Sequence, residues 1–232
     1  HFARGMGLIR TGKEEGGRWQ LTLSLLGEVV LAEDPYLGES VTLWLLHLLL
    51  CRRHGLTEPA KGIADPWFAL FAEGEHRLGS RFEANDYHEY LIQRHGEKSY
   101  TKSLAGLVPR TYQESACFGD INVLVAETDG KQSFFRRCAA PTDPAFFPAY
   151  ATYLFLAWDL LYPDHDQLAI DELFQASRCL AVMHWDRASA NTWLDWLADR
   201  GYLQLDRQTG GTLALRLAPT TSLIKRIYED LI

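Results

Sequence analysis

The stretch that most restricts the fold is residues 39–50, ESVTLWLLHLLL, which is apolar at Val41, Leu43, Trp44, Leu45, Leu46, Leu48, Leu49 and Leu50. A helix with apolar side chains on nearly every side has no face to give to water, so other elements must enclose it. Its ends are marked in the sequence. Ser40 is placed to cap the N-terminus, Arg52, Arg53 and His54 stand where the last carbonyls carry negative partial charge, and Gly55 can leave the helix with positive φ. A bilayer-crossing helix needs about 20 apolar residues, and this run is shorter. It reads as the buried spine of a soluble, cytoplasmic protein.

Around that spine a chain of 232 residues, 47% hydrophobic, supplies apolar mass for one large core or two small ones. The formal net charge of −7 argues against a protein that coats nucleic acid through bulk electrostatics, which needs clustered Lys and Arg. Local basic faces remain open to it. Cys51, Cys117, Cys138 and Cys179 have no paired spacing and read as free thiols in a reducing cytosol. No signal peptide or membrane span is legible. The opening HFARGMG lacks an initiating methionine and reads as the inside of a structural unit, implying a segment before it.

Taken in order, residues 8–10 and 18–22 flank a glycine-rich tip and predict a β-hairpin, after which Ser24 caps a helix through Leu31. Residues 61–65 read as a loop, Pro66 as the first turn of a short aromatic helix (WFALF, 67–71), and residues 73–81 as a polar linker. Helices are predicted over 86–95, stopped by Gly96, and over 100–112, capped by Ser99, the two forming a helix-turn-helix candidate. The β-branched run INVLVA (121–126), a turn at 128–130 and residues 132–136 predict a second hairpin. A second apolar helix, AFFPAYATYLFLAWDLL, spans 145–161 or begins after Pro148, and should pack on the spine. Helices over 166–175 and 188–199, strands over 202–205 and 212–217, and a last helix capped by Thr221 and running to Ile232 complete the chain. The fold class expected is mainly α with small β-hairpins, an α+β protein of winged-helix-like units around buried apolar helices. Three regions follow: 1–60, 61–140 and 141–232.

At GMGLI (5–9), LTLSLLG (21–27) and above all DPYLGESVTLWLLHLLL (34–50), with an echo in PAYATYLFLAWDLL (148–161), the chain resembles the bacterial domain of unknown function numbered 4007. The resemblance covers most of the chain and implies that the family's usual N-terminal portion is absent. It also implies a place beside DNA phosphorothioation and related phage-defence systems. One departure is that residues 107–110 are Leu-Val-Pro-Arg where the family tends to carry an Arg-Asp pair, and Pro109 should interrupt the middle helix.

Candidate sites follow from charge. Lys98, Lys102 and Arg110 lie between residues 98 and 113 with no acid among them, and Ser99, Tyr100, Thr101 and Ser103 can add hydrogen bonds to a DNA backbone. The opposing reading is a solvated helix face. The C-terminal helix carries Asp186, Arg187, Asp195, Asp199 and Arg200, whose acids would be repelled by phosphate, although Arg187, Asn191 and Thr192 could reach bases. Arg207 and Arg216, and Lys13 with Arg18, are secondary phosphate candidates. Asp120 with Asp129 and Lys131 imitates nuclease spacing, but Asp129-Gly130 is better explained as a hairpin turn, and no third acid is placed for a metal. Cys51 and His54 lack a second ligand pair for zinc, and His88 with His95 reads as a solvated pair. No nucleotide-binding loop or serine elbow occurs. Catalytic residues, metals and cofactors are therefore expected to be none. The expected function is a non-enzymatic DNA-binding or adaptor component of a bacterial DNA-modification or anti-phage system, with DNA and the proteins of such a complex as partners and no membrane. The alternatives are a protein-interaction scaffold and a metal-dependent nuclease.

Overall fold

The structure, a computed structural model, describes residues 2–13, 19–52 and 65–231. Arg18, Arg53, His54 and Gly55, and the loop expected before Asp65, lie outside the described residues. The fold is α+β, with helices predominating, among the described residues, over three small antiparallel sheets.

Helix α1 (Phe2–Gly5) leads into the expected hairpin of β1 (Ile9–Lys13) and β2 (Trp19–Leu23), with Ile9 opposite Leu23. Ser24 caps α2 (Leu25–Glu33) as its sequence predicts: its hydroxyl accepts from the Gly27 amide at 2.9 Å and donates to the Gly7 carbonyl. Helix α2 lies so close to the chain before it that a Cβ on Gly27 would collide with the Leu8 carbonyl oxygen.

The spine is α3 (Ser40–Leu50), with each of its residues from Val41 to Leu50 buried. Ser40 does not cap it. It is the first helical residue, and the buried Asp34 carboxylate instead takes the Gly38 and Glu39 amides at 2.8 and 3.1 Å, satisfying two donors at once.

Next come α4 (Asp65–Phe68), with Pro66 in its first turn, a π-helical turn Ala69–Glu73, α5 (Gly74–Leu78) and β3 (Arg81–Phe82). The segment expected as a polar linker is thus helix and strand. Phe82 is buried and its strand pairs with β5, so tertiary packing overrides the local polarity. The widened turn is held from outside: Arg137, buried and without a carboxylate partner among the described residues, donates to the Leu70 carbonyl at 3.0 Å and to the Gly79 carbonyl.

Helix α6 (Ala84–His95) ends, as predicted, at Gly96 with φ 74°. Helix α7 (Thr101–Thr111) begins after Tyr100, not under a Ser99 cap, and Pro109 does not interrupt it. Val108 and Pro109 are buried, and the Tyr112 amide bonds to the Pro109 carbonyl, so packing holds the turn that the missing N–H cannot.

The second hairpin, β4 (Leu124–Asp129) and β5 (Gln132–Arg137), starts later than expected because residues 119–121 form a 3-10 turn and Asn122 is left-handed. An unbroken apolar run carries no mark of where a strand begins. A further 3-10 turn (Pro144–Phe146) precedes α8 (Phe147–Leu161), which takes Pro148 into its first turn and packs on the spine as expected.

The C-terminal region runs β6 (Gln167–Ala169), α9 (Ile170–Ser177), α10 (Cys179–Met183), α11 (Arg187–Asp199), β7 (Leu203–Gln208), β8 (Gly211–Arg216) and α12 (Thr220–Ile224). Its sheet has the order β6-β8-β7. The predicted helix over 166–175 is therefore strand and then helix. The last helix is capped at Pro219, not Thr221, and stops at Ile224, after which Tyr228 anchors the tail on the spine through Thr42 at 2.8 Å.

One continuous apolar cluster joins all three regions, with Trp67, Trp158 and Trp193 fully enclosed. Trp44 is also buried and Trp196 half-buried, which matches their expected packing role. Cys51 and Cys179 are buried, and Cys117 and Cys138 are partly accessible; all four are free. No helix among the described residues is long and apolar enough to cross a membrane.

Candidate nucleic-acid interface

Helices α6 and α7 pack against each other across the turn 96–100. That turn exposes Lys98 and Ser99, and Lys102 is exposed one residue inside α7. The Lys98 carbonyl accepts the Thr101 amide at 3.0 Å, which fixes the turn that presents these side chains. Neither lysine has an ion-pair partner among the described residues. Arg110 lies eight residues further along α7 than Lys102, about 12 Å at 1.5 Å per residue. It is held by Glu114 at 2.5 Å on the rim of an apolar cavity of about 650 Å³ that Leu46, Trp67 and Phe118 help to line. The structure therefore brings Lys98, Ser99 and Lys102 together and sets Arg110 apart from them.

The remaining candidates divide in the same way. Arg187, the first residue of α11, pairs with Asp171 at 2.5 Å, and Arg207 on β7 pairs with Asp195. Arg216 reaches Asp159 at 2.6 Å. Asn191 is exposed on α11 without a hydrogen-bond partner among the described residues. Every arginine proposed for DNA contact within the described residues is thus already countered by an acid, and both lysines of the α6–α7 turn are not. The exposed pairs of Arg110, Arg187 and Arg207 contribute only about 0–1 kcal/mol each, so they lower the local potential more than they lock the side chains.

Among the described residues no group of three His, Cys, Asp or Glu is placed to hold a metal ion. Asp129 is exposed at the hairpin tip, 3.9 Å from Arg81. His95, expected as a solvated partner of His88, instead meets the buried Asp65 at 2.5 Å. Asp65 is the centre of a network the sequence did not disclose. Arg94 binds it through Nε and Nη2 at 2.8 and 2.7 Å and donates Nη1 to Glu73 at 2.5 Å, while the Tyr90 hydroxyl donates to Glu73 at 2.7 Å. These bonds hold the Arg94 guanidinium firmly protonated, chiefly through Asp65, and burial beside Glu73 pushes the Tyr90 phenol up to about 12. The residues are 29 apart in sequence; only the Arg94-His95 pair closing an otherwise amphipathic helix hinted at a buried acid.

The fold defines a class: a mostly helical α+β protein that presents two unpaired lysines, among the described residues, at one interhelical turn. No protein-family model matches the chain, and no curated protein does. Among solved structures the chain is similar to SspB. One crystal structure of SspB aligns with a TM-score of 0.68 at 17% identity, covering 99% of this chain and 74% of that one. A magnesium ion-bound crystal structure of SspB gives 0.69 at 18% identity with the same coverage. At such identity the likeness is one of fold.

Proposed function

We propose that this chain is a non-enzymatic DNA-binding or adaptor component of a bacterial DNA-modification or anti-phage system. The observation that carries the reading is the pair of uncountered lysines, Lys98 and Lys102, flanking Ser99 at the start of α7 in a chain of net charge −7. There the unsatisfied amides of the helix N-terminus add positive potential, ammonium groups meet phosphate oxygens, and a serine hydroxyl donates to the backbone. The C-terminal region supports the same reading through its order: helix, strand, helices and hairpin, with the first strand beside the last, which we take as winged-helix-like. Its candidate DNA-contacting arginines, Arg187, Arg207 and Arg216, are neutralised in place, so we assign it to holding a protein partner. The resemblance to the domain family numbered 4007 and the SspB-like fold support the placement in a DNA-modification system.

The test is duplex binding, with ordinary and phosphorothioate backbones, measured across a salt series. Losing two phosphate contacts in Lys98→Ala/Lys102→Ala lowers the slope of log affinity against log salt by about 2 and weakens both duplexes alike. An unchanged slope removes this turn from the interface.

A further inference from the structure

On the side of α6 where Tyr90, Gln93 and Arg94 face α5, an open pocket of about 520 Å³ lies between the π turn, α5 and the α9–α10 junction. That volume is in the range of a small-molecule site, roughly 300–1,000 Å³. Its charge is one-sided. Arg77, Arg94 and Arg178 line it against the single carboxylate of Glu73, with His76 beside them. The Arg77 and Arg178 side chains have no hydrogen-bond or ion-pair partner among the described residues, whereas the arginines at the proposed DNA positions are paired.

The pocket is also built, not incidental. Glu73 closes the π turn, a backbone form that concentrates at functional sites. Its carboxylate is taken up by the Tyr90 hydroxyl and Arg94, so it is neutralised where it stands. Arg94 in turn is anchored on the buried Asp65, which consumes three of its five N–H groups together with Glu73 and leaves two for a ligand. Arg178 reaches the pocket from a left-handed backbone, φ 59°, a conformation that costs energy for a residue with a Cβ and persists only where the surroundings fix it. Towards its far end the trough continues past Gln93 to Glu89 and Asp86, groups that accept from hydroxyls and amines.

We infer that this pocket binds a phosphate monoester carried on a nucleoside, with the phosphate between Arg77 and Arg178 and the sugar or base towards Gln93 and Glu89. Guanidinium forks match phosphate oxygens in geometry as well as charge. The inference is independent of duplex binding at Lys98 and Lys102. Two sources share this chemistry, a free mononucleotide and the 5′-phosphorylated end of a DNA strand.

Calorimetric titration with dAMP, deoxyadenosine and inorganic phosphate tests it, alongside a short single-stranded oligonucleotide with either a 5′-phosphate or a 5′-hydroxyl. Binding of dAMP and not of deoxyadenosine is expected. Arg77→Ala/Arg178→Ala should weaken dAMP at least about tenfold with its thermal unfolding unchanged, and Arg77→Lys/Arg178→Lys should restore part of the loss. Lys98→Ala/Lys102→Ala should leave dAMP binding intact, which separates this site from the duplex surface. A preference for the phosphorylated oligonucleotide that Arg77→Ala/Arg178→Ala abolishes assigns the ligand to strand ends; equal oligonucleotide binding beside dAMP binding assigns it to free mononucleotides. Absence of dAMP binding, equal affinity for deoxyadenosine, or undiminished affinity in the double alanine variant would overturn the proposal.

Discussion

At the scale of single residues, His47 is the group whose burial most constrains behaviour in solution. It sits in the middle of the spine, fully enclosed, edge-on to Trp44, Phe71 and Tyr112, with Nδ1 2.7 Å from the Tyr112 hydroxyl. Loss of solvation holds its imidazole down at about 3. The unfolded chain, with an ordinary histidine near 6.5, takes up this proton first as the pH falls. The folded form refuses it. The contribution of His47 to stability is therefore intact above about pH 6.5 and is lost below it, by up to about 1.4 kcal/mol per pH unit. Urea unfolding of wild type and His47→Gln at pH 7 and pH 5 should show a pH-dependent loss of about 2 kcal/mol that wild type has and the variant lacks. Parallel losses in the two proteins would show that the imidazole is not the group resisting the proton.

At the scale of elements, the ties between α4, the π turn and α6 run through one carboxylate. Asp65, 1% exposed at its side chain, is met by Arg94 and His95 from α6. Removing one partner from a buried ion cluster leaves the other desolvated and uncompensated, so Asp65→Ala should cost about 3 kcal/mol, read as a drop in the urea midpoint. A cost below about 1 kcal/mol, the range of exposed pairs, would mean that the cluster is solvated. Beyond the hint of the Arg94-His95 pair, none of this is legible in the chain. The amphipathic spacing of Tyr87, Tyr90 and Leu91 and the glycine after His95 disclose α6 itself, and apolar density discloses α3 and α8, because those signals are local. The π turn, α5 and β6 are hidden in the sequence for the converse reason: residues 73–81 look polar until Phe82 is paired beside Phe135, and residues 167–169 form a strand only because β8 lies next to them. The candidate lysines were legible as charge without nearby acid. Glu114, four residues beyond Arg110, already lay in the sequence as a warning about that arginine. The cationic pocket was invisible, since Arg77, Arg94 and Arg178 belong to three separate segments and share no spacing.

At the scale of the whole molecule, the hairpins, the spine and the C-terminal region share one apolar interior, and acids are spread over the surface so that most arginines are met where they stand. Net negative charge and a local cationic turn are compatible for that reason: ion pairing meets most arginines and, among the described residues, is absent at Lys98 and Lys102 as it is at Arg77 and Arg178.

The placement of the thiols has its own outcome. Burial raises the Cys51 thiol well above its usual range and pushes Cys179 to about 12, so neither offers a thiolate nor an approach path. Cys117 and Cys138 are within reach of reagent. An aromatic disulfide reagent should thus consume two sulfurs promptly and the other two only at the pace at which the interior opens. The second phase is a clock for unfolding that needs no label, and four prompt reactions would mean that the interior breathes far faster than its packing implies.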